Sequence, residues 1–407
     1  MSQASLDVDL QYDRIPRATT PAQPSSPLVL HARVITGAGG GPDKTILNSP
    51  RFLSNFGYRS VCAFLRPPRD EGFQVIRDRA VAAGAPIEEV DDRGALDWRV
   101  VPRLLEVCRR LRVDVWHAHD YKTNLLGLML RRFHPMRLVT TTHGWVEFTP
   151  RTRLYYRCDG WSLPRYERVI CVSEDMLQQC RAYGVSDAEL VLIENAIDTD
   201  QFRRNLPTDA AKGQLDWPRE RFLVGAAGRL SDEKGFDVLI RSIGELVDRG
   251  LDVGLVIAGE GKERDNLEQL VSKLKLRDRV RLAGYQSDLR PLYEAMDVFA
   301  LSSRREGLPN VVLEAMALET PVVSTRVAGV PRLIVDAENG LLVDLDDQAA
   351  LSAGIERALA NPELRSRLAA AGRRTIEQRY AFAVRMKKVA AVYDELLGRT
   401  NGTRNLR

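Results

Sequence analysis

The strongest constraint on the fold is an alternation of short apolar segments with longer amphipathic ones, which begins near residue 28. Helical periodicity between the apolar segments is clearest over 98–111, where Val101, Leu104, Leu105 and Cys108 fall on one face. Near-continuous apolar strands separated by helices are typical of a parallel sheet covered on both faces. The predicted strands of the first half are 28–35, 60–65, 114–119, 137–142, 168–173 and 190–196.

The same alternation restarts after a polar stretch, 203–220, which contains two prolines and mixed charge and is predicted to be a linker. The sequence therefore predicts two consecutive doubly wound α/β domains, 28–202 and 221–378, followed by a helical segment at 379–397. We expect the two sheets to face each other across a cleft, lined by strand ends and helix N-termini. The predicted strands of the second half are 222–227, 253–258, 280–283, 298–302 and 321–325.

Composition excludes several classes of protein. Residues 1–27 are polar and proline-rich, which predicts a flexible tail, and three aspartates interrupt them where a signal peptide would be apolar. No run of 18 apolar residues is present, so no membrane span is predicted. The net charge of +4 without a concentrated basic stripe does not indicate a nucleic-acid partner. Five cysteines without a CxxC pair indicate reduced thiols and a cytoplasmic protein.

A glycine-rich segment, GAGGGPDKT at 37–45, directly follows the first predicted strand. Consecutive glycines let backbone N–H groups approach an anion at a helix N-terminus. The dinucleotide-binding fingerprint fails at Pro42, and the phosphate-binding P-loop fails at Asp43. Two interpretations stay open: a strand-to-helix turn, or a ligand-facing loop that includes Gly40 and Gly41.

A second loop, GRLSDEKG at 228–235, follows the first strand of the second half. Its two cations, Arg229 and Lys234, suit a diphosphate leaving group that gains negative charge as its bond breaks. The alternative is a surface turn with solvated charges.

A third loop, EGLPNVVLE at 306–314, follows the strand predicted at 298–302. Pro309 suits a first helical position, so the N–H groups of the helix should point into the cleft. Glu306 precedes the helix and could bind sugar hydroxyls, while Glu314 lies more than a turn inside and could reach a ribose. A glycosidase carboxylate pair is an alternative, but a helix N-terminus favours ionised, binding carboxylates. Two ordinary solvated glutamates are the other alternative.

The histidines lie only in the first half. His117 and His119 share one face of a strand, but no third ligand follows at metal-binding spacing, so no metal is predicted. His143 ends a predicted strand beside Gly144 and is either a ligand-facing or a packed core residue.

Taken together, these motifs closely resemble the retaining glycosyltransferases of family 4, which have the GT-B fold of two facing Rossmann-like domains. The resemblance covers roughly 28–397, and its most specific element is the E-x7-E pair Glu306 and Glu314. It implies that Arg229 and Lys234 hold the donor phosphates, and that the last helix returns to the first domain. The other residues that it assigns to donor binding are Gly40, Gly41, Gly228, Gly261, Gly307, Leu308, Asn310 and Val311.

The resemblance implies sugar transfer from a nucleotide diphosphate sugar to an acceptor, with retention at the anomeric carbon and without a metal or cofactor. Its implied catalytic residues are His143, Arg229, Lys234 and Glu306. The acceptor would be a glycan, a lipid-linked sugar or a small molecule, in cell-surface polysaccharide or glycolipid biosynthesis. Alternatives are a nucleotide-sugar epimerase of the same fold and a non-catalytic binding protein, whereas Asp43 disfavours a P-loop hydrolase.

An arginine-rich, aromatic segment covers 131–168. It contains eight arginines against Glu147, Asp159 and Glu167, a net charge of +5 that contrasts with the nearly neutral remainder. Arginine interleaved with tryptophan, tyrosine and phenylalanine suits an anionic, partly apolar surface. The segment therefore predicts peripheral binding to the inner face of the cytoplasmic membrane, or a lipid-linked pyrophosphate acceptor. The alternative is a solvated helix face.

Overall fold

A computed structural model describes residues 26–144 and 150–399, so nearly all of the predicted tail lies outside the described residues. The chain divides into two units. The first comprises the residues up to Ile193 together with those from Met386 onward, and the second is Glu194–Arg385.

The first unit contains a sheet of seven parallel strands in the order β3-β2-β1-β4-β5-β6-β7. The strands are β1 (Leu28–Val34), β2 (Arg59–Arg66), β3 (Ile87–Asp91), β4 (Val115–Ala118), β5 (Arg137–Thr142), β6 (Arg168–Cys171) and β7 (Leu190–Leu192). The helices are α1 (Gly41–Leu53), α2 (Gln74–Ala83), α3 (Val100–Leu111), α4 (Tyr121–Leu130), α5 (Pro150–Ser162) and α6 (Glu174–Ala182).

The second unit contains a sheet of six parallel strands in the order β10-β9-β8-β11-β12-β13. Its strands are β8 (Phe222–Ala227), β9 (Val253–Ala258), β10 (Val280–Gly284), β11 (Val298–Leu301), β12 (Val322–Thr325) and β13 (Leu341–Val343). Its helices are α7 (Thr208–Gln214), α8 (Phe236–Asp248), α9 (Arg264–Lys273), α10 (Arg290–Ala295), α11 (Asn310–Ala317), α12 (Val330–Leu333), α13 (Gln348–Ala360), α14 (Pro362–Thr375) and α15 (Phe382–Leu397), whose residues from Met386 belong to the first unit.

The sheet of the second unit is covered on both faces, as its apolar strands predict. Leu223 and Phe299 pack in one core cluster, and their sequence neighbours Val224 and Val298 pack in another. Successive side chains of a strand point to opposite faces, so an uninterrupted apolar strand supplies both cores.

In both sheets the strand order reverses beside the first strand, between β1 and β4 and between β8 and β11. This is the Rossmann order, in which ligands bind outside the carboxyl ends of the strands at the reversal. The predicted doubly wound class is therefore confirmed, and the two reversal points locate the candidate sites.

The structure differs from the predicted linker at 203–220. That segment forms α7 and packs into the second unit, where Ala211 and Trp217 are buried and Lys212 Nζ lies 2.7 Å from an Asp297 carboxylate oxygen. The few buried side chains of this segment are separated by polar residues, so its sequence lacks the apolar run or periodicity that would identify a packed segment. The second unit begins at Glu194, whereas the sequence predicts a second domain that starts at residue 221 after the linker.

The C-terminal part of α15 makes polar contacts within the first unit. The Tyr58 hydroxyl donates to Asp394 at 2.6 Å, and the Tyr393 hydroxyl lies 2.6 Å from His117 Nδ1. All five cysteines are free thiols. Within the described ranges, every helix is too short or too polar to cross a bilayer.

Candidate functional site

In the second unit, the loop after β8 packs against a glycine-containing turn that follows β9. The backbone N–H of Gly228 donates to Ala258 O at 2.9 Å, and Gly259 has φ +147. A Cβ on Gly259 would lie 1.8 Å from Gly228 O, and one on Gly261 would lie 2.2 Å from Leu230 O. Both positions therefore require glycine, which places Arg229, an exposed side chain, at the carboxyl end of β8.

The turn that carries Lys234 is held against the end of β11. Gly235 has φ +61, and a Cβ there would lie 2.1 Å from Ser302 O. The Ser302 hydroxyl donates to Lys234 O at 3.0 Å, and the Arg304 backbone N–H donates to Glu233 O at 2.8 Å. These contacts join the loops after β8 and β11 at the point where the strand order reverses.

The joined loops bring two predicted site residues into contact. Lys234 Nζ lies 2.7 Å from Glu306 Oε1, which also accepts from the Ser303 hydroxyl at 2.6 Å. The Lys234 and Glu306 side chains are 19% and 9% exposed, so water screens this pair less than an ordinary surface pair. The carbonyl of Ser303 is fixed in turn by the Thr325 hydroxyl at 2.7 Å. The result is a preorganised cation–carboxylate pair at the edge of the sheet.

The helix expected after this loop is α11, and it begins at Asn310 with Pro309 as its N-cap, one residue later than predicted. Its first N–H groups lack intrahelical partners, and the helix end attracts negative charge. Asn310 is exposed and Val311 is half-buried, while Gly307 lies on the exposed loop before them. Leu308, also half-buried, packs against the core.

Glu314 lies in the second turn of α11, as the sequence predicts. Its Oε2 accepts from the buried Tyr293 hydroxyl at 2.9 Å. Burial and this carboxylate raise the pKa of Tyr293 well above its ordinary value, so the phenol stays a donor. Tyr293 thereby fixes the Glu314 side chain, a supporting role that the sequence did not reveal.

In the first unit, backbone N–H groups of the glycine loop after β1 already donate to carboxylates of the same unit. The Gly40 N–H donates to Asp43 Oδ2 at 2.5 Å, and the Gly37 N–H donates to Asp70 Oδ2 at 2.7 Å. Asp43 is buried and also pairs with Arg33 Nε at 2.6 Å. A phosphate at Gly40, the residue before α1 and Gly41, would have to displace this carboxylate.

The histidines converge beside the same reversal point. His31 on β1 is in register with His117 on β4, and His119 follows β4 directly. Ring nitrogens of these three buried residues all lie within 4.8 Å of one another, a group that could hold a metal ion. His31 is the third histidine that sequence spacing did not supply, because parallel pairing brings it from 86 residues before His117.

Hydrogen bonds already engage this cluster. His117 Nε2 lies 2.7 Å from the Thr141 hydroxyl, and His119 contacts His31 and His143 at 3.1 Å each. A metal ion would have to replace these bonds. His143 directly follows β5 and is half-buried. This partial exposure is compatible with both interpretations from the sequence, a ligand-facing residue and a packed core residue.

The arginine-rich segment is described only in part. Trp145, Glu147 and Phe148 lie outside the described residues, as do the side chains of Arg151 and Arg153. In the described part, Phe133 is 60% exposed and Trp161 is 54% exposed.

Two protein-family models match the chain: Glycosyltransferase Family 4 over residues 39–201, and Glycosyl transferases group 1 over residues 207–375. The chain is 42% identical over 188 residues to the lipopolysaccharide core biosynthesis glycosyltransferase LpsE of Rhizobium meliloti, covering 46% of this chain and 53% of that relative. It is 32% identical over 346 residues to LpsD of the same organism, also named a lipopolysaccharide core biosynthesis glycosyltransferase, covering 85% and 92%.

Among solved structures, Anabaena HepE in complex with UDP matches with a TM-score of 0.74 at 19% identity, over 91% of this chain and all of that one. The same protein in complex with UDP-glucose matches with a TM-score of 0.72 at 20% identity, over 90% and 99%. The fold and the two family matches define a glycosyltransferase with the GT-B fold. The chain belongs to glycosyltransferase family 4, which confirms the resemblance seen in its motifs.

Proposed function

We propose that this glycosyltransferase moves a sugar, with retention of anomeric configuration, from a nucleotide diphosphate sugar to a saccharide of a cell-surface glycan. The observation that carries the proposal is the Lys234–Glu306 pair, 2.7 Å apart at the strand reversal between β8 and β11 and just before α11. An ammonium group beside a helix N-terminus attracts a diphosphate, and a carboxylate accepts from sugar hydroxyls.

Each site residue has a role in this proposal. Arg229 and Lys234 neutralise the diphosphate, Glu306 accepts from the sugar, and Glu314 accepts from the ribose. The N–H groups at Asn310 and Val311 receive the phosphate, while Gly228, Gly261 and Gly307 let the backbone approach. The family resemblance also assigns His143 a catalytic role.

The mechanism follows from the charges. The bond between the anomeric carbon and the phosphate oxygen breaks as the acceptor oxygen attacks the same face. The departing β-phosphate takes the acceptor proton, and Lys234 and Arg229 stabilise its remaining charge. These cations supply the positive charge at the diphosphate, so the proposed reaction needs no divalent metal.

Names of relatives support the donor and acceptor classes. HepE is solved with UDP and with UDP-glucose, and LpsE and LpsD are named for lipopolysaccharide core biosynthesis. We therefore expect a hexose donor and a lipopolysaccharide core or related glycolipid acceptor.

A panel of UDP-, GDP- and ADP-sugars, each with a lipopolysaccharide core acceptor, tests the proposal, with Lys234→Ala as the matched inactive variant. The expected product carries the new sugar in the anomeric configuration of the donor, measured by NMR. An inverted product would contradict retention. A changed sugar nucleotide without acceptor would instead support the epimerase alternative.

Peripheral binding to an anionic bilayer is the second part of the proposal. The arginine-rich segment contains exposed Phe133 and Trp161 together with exposed arginines at 132, 157 and 165, and the Arg165 guanidinium lies 4.0 Å from the Trp161 ring centroid. Basic residues near an anionic surface contribute about 1 kcal/mol each, so three suffice for reversible binding.

Sedimentation with anionic and neutral vesicles tests this part. We expect salt-sensitive binding to anionic vesicles, weakened when Arg132, Arg157 and Arg165 become glutamine. The matched control replaces three exposed arginines of the second unit, Arg241, Arg277 and Arg305, and should bind as the wild type does. Equal binding to neutral and anionic vesicles, or none to either, would contradict the proposal.

A further inference from the structure

Three imidazoles of the first unit form a chain from the core of the sheet to the end of β5. His31 Nδ1 lies 3.1 Å from His119 Nε2, and His119 Nδ1 lies 3.1 Å from His143 Nε2. His31 and His119 are 2% and 7% exposed, and His143 is half-buried. The rings of neighbours in the chain are stacked, with centroids 5.4 Å and 5.3 Å apart.

The chain permits few proton arrangements. Each nitrogen–nitrogen contact needs one N–H and one lone pair, and a neutral imidazole has one of each. Burial lowers the pKa of His31 to about 3 and the pKa of His119 well below its ordinary value, so both rings are neutral. If His143 is also neutral, the three protons are all on Nδ1 or all on Nε2.

The inner end of the chain decides between these arrangements. His31 Nε2 is buried and has no hydrogen-bond partner among the residues that the structure describes. A proton there would be a buried N–H without an acceptor, which is rarer in proteins than an unused acceptor. A doubly protonated His143 would donate to His119 Nδ1, move that ring's proton to Nε2 and so place a proton on His31 Nε2. Both the Nε2 arrangement and a charged His143 are therefore disfavoured.

We propose that His119 and His31 are positioning residues that keep His143 neutral, with its proton on Nδ1. His143 is then a hydrogen-bond donor through Nδ1 and not a base at that atom. The consequence for catalysis rests on the proposed function, in which the departing phosphate takes the acceptor proton: His143 then acts in sugar transfer as a hydrogen-bond donor and not as the base. Neither His31 nor His119 touches substrate in this scheme.

Nitrogen NMR of the full-length protein labelled with ¹⁵N-histidine, without substrates, tests the tautomer directly. The chain contains five histidines, so each can be assigned by substituting it singly. At neutral pH we expect a bare Nε2 and a protonated Nδ1 for His143, His119 and His31. A proton on Nε2 of His143, or a charged ring, overturns the proposal.

Breaking the chain tests the positioning role. In His119→Phe, or in His119→Gln if the first variant does not fold, His143 loses its donor, and its proton should shift toward Nε2. The control is His134→Gln, because the His134 ring contacts Val113 O at 2.8 Å and lies outside the chain. An unchanged His143 tautomer in a folded His119 variant overturns the positioning role.

Turnover provides the second readout. We expect kcat to fall about tenfold in His119→Phe with the donor KM within about twofold, as for loss of an outer partner that orients a functional histidine. An Nδ1 tautomer in a protein that transfers no sugar would refute the proposed function and leave the histidine chain intact. Normal kcat in a variant whose tautomer has shifted would refute the catalytic consequence.

Discussion

The carboxyl edges of the two sheets share one strand order and have opposite chemistry. Beside β1 and β4, the first unit places a buried chain of neutral imidazoles that includes His31 and His119. Beside β8 and β11, the second unit places the ion pair of Lys234 and Glu306 on loops beyond the strand ends. Strand order thus determines where side chains converge, and their burial determines whether charge is retained there.

The largest effect on catalysis should follow from removing a cation at the carboxyl edge of the second unit's sheet. We expect Lys234→Ala and Arg229→Ala each to lower kcat by about 10²–10³, as for loss of a group that stabilises developing charge. Lys273→Ala removes an exposed lysine at the end of α9 and should leave kcat unchanged. Steady-state rates at saturating donor measure the effect, and full activity in either site variant would contradict the phosphate assignment.

The glycine support beneath Arg229 should be the next most sensitive feature. Gly259→Ala places a Cβ 1.8 Å from Gly228 O, which forces the two turns apart. We expect the free energy of unfolding to fall by about 1–3 kcal/mol, the usual cost of overpacking, with weaker donor binding. Gly213→Ala, an exposed position in α7, should be neutral or stabilising. Denaturant unfolding compares the two, and a stable Gly259→Ala would show that the turns can separate freely.

The buried histidines beside β1 and β4 should affect the pH dependence of the protein's stability. The pKa of His31 is lowered to about 3 by burial, so the unfolded chain binds more protons below the ordinary histidine value. Stability from this group is complete above about pH 6.5 and is lost as pH falls, at up to about 1.4 kcal/mol per pH unit. His31→Gln should therefore flatten the decline between about pH 6 and pH 4, whereas His134→Gln should not. Parallel curves for the wild type and His31→Gln would contradict a neutral buried ring.

A smaller effect should separate the two glutamates. Glu314→Ala should weaken binding of both the free nucleoside diphosphate and the intact donor, about tenfold, because a charge-assisted hydrogen bond contributes about 1.5–3 kcal/mol. Glu306→Ala should weaken the intact donor more than the nucleotide, because Glu306 precedes α11 and faces Lys234. Calorimetric titration of both ligands separates these cases, with Glu306→Gln to retain the side-chain shape. Equal losses for both ligands in both variants would refute the split.

The smallest expected effect is that of a chelator. Lys234, Arg229 and the N-terminus of α11 supply the positive charge at the diphosphate, so excess EDTA should leave the initial rate unchanged. Loss of activity that magnesium or manganese restores would contradict this expectation.

Much of the fold follows from the sequence, and the exceptions are informative. All eleven predicted strands start within one residue of their observed start because they are predominantly apolar runs, and those at 137–142, 222–227 and 253–258 coincide with β5, β8 and β9. The strand β3, IEEVD, went unpredicted because it carries two glutamates at the sheet edge, and β13 has only three residues. Short or half-polar edge strands lack the buried runs that reveal central ones.

The site was predictable where a motif follows a strand, and unpredictable where partners come from distant strands. Arg229, Lys234 and Glu306 were assigned to loops at strand ends. The contact between Lys234 and Glu306, 72 residues apart in sequence, depends on β8 lying beside β11. His31 could have been found only by pairing β1 with β4. In the sequence, Asp43 served only to exclude a P-loop motif, and its hydrogen bond with the Gly40 N–H of the same loop was not predicted.

Nucleoside diphosphate binding tests the central claim most directly. Isothermal titration of the wild type with UDP, GDP and ADP in excess EDTA should give binding of one of them, with the affinity lost in Lys234→Ala and retained in Lys273→Ala. Binding of none of the three, or equal binding by the wild type and Lys234→Ala, would contradict the assignment of the β8–β11 edge as the donor site.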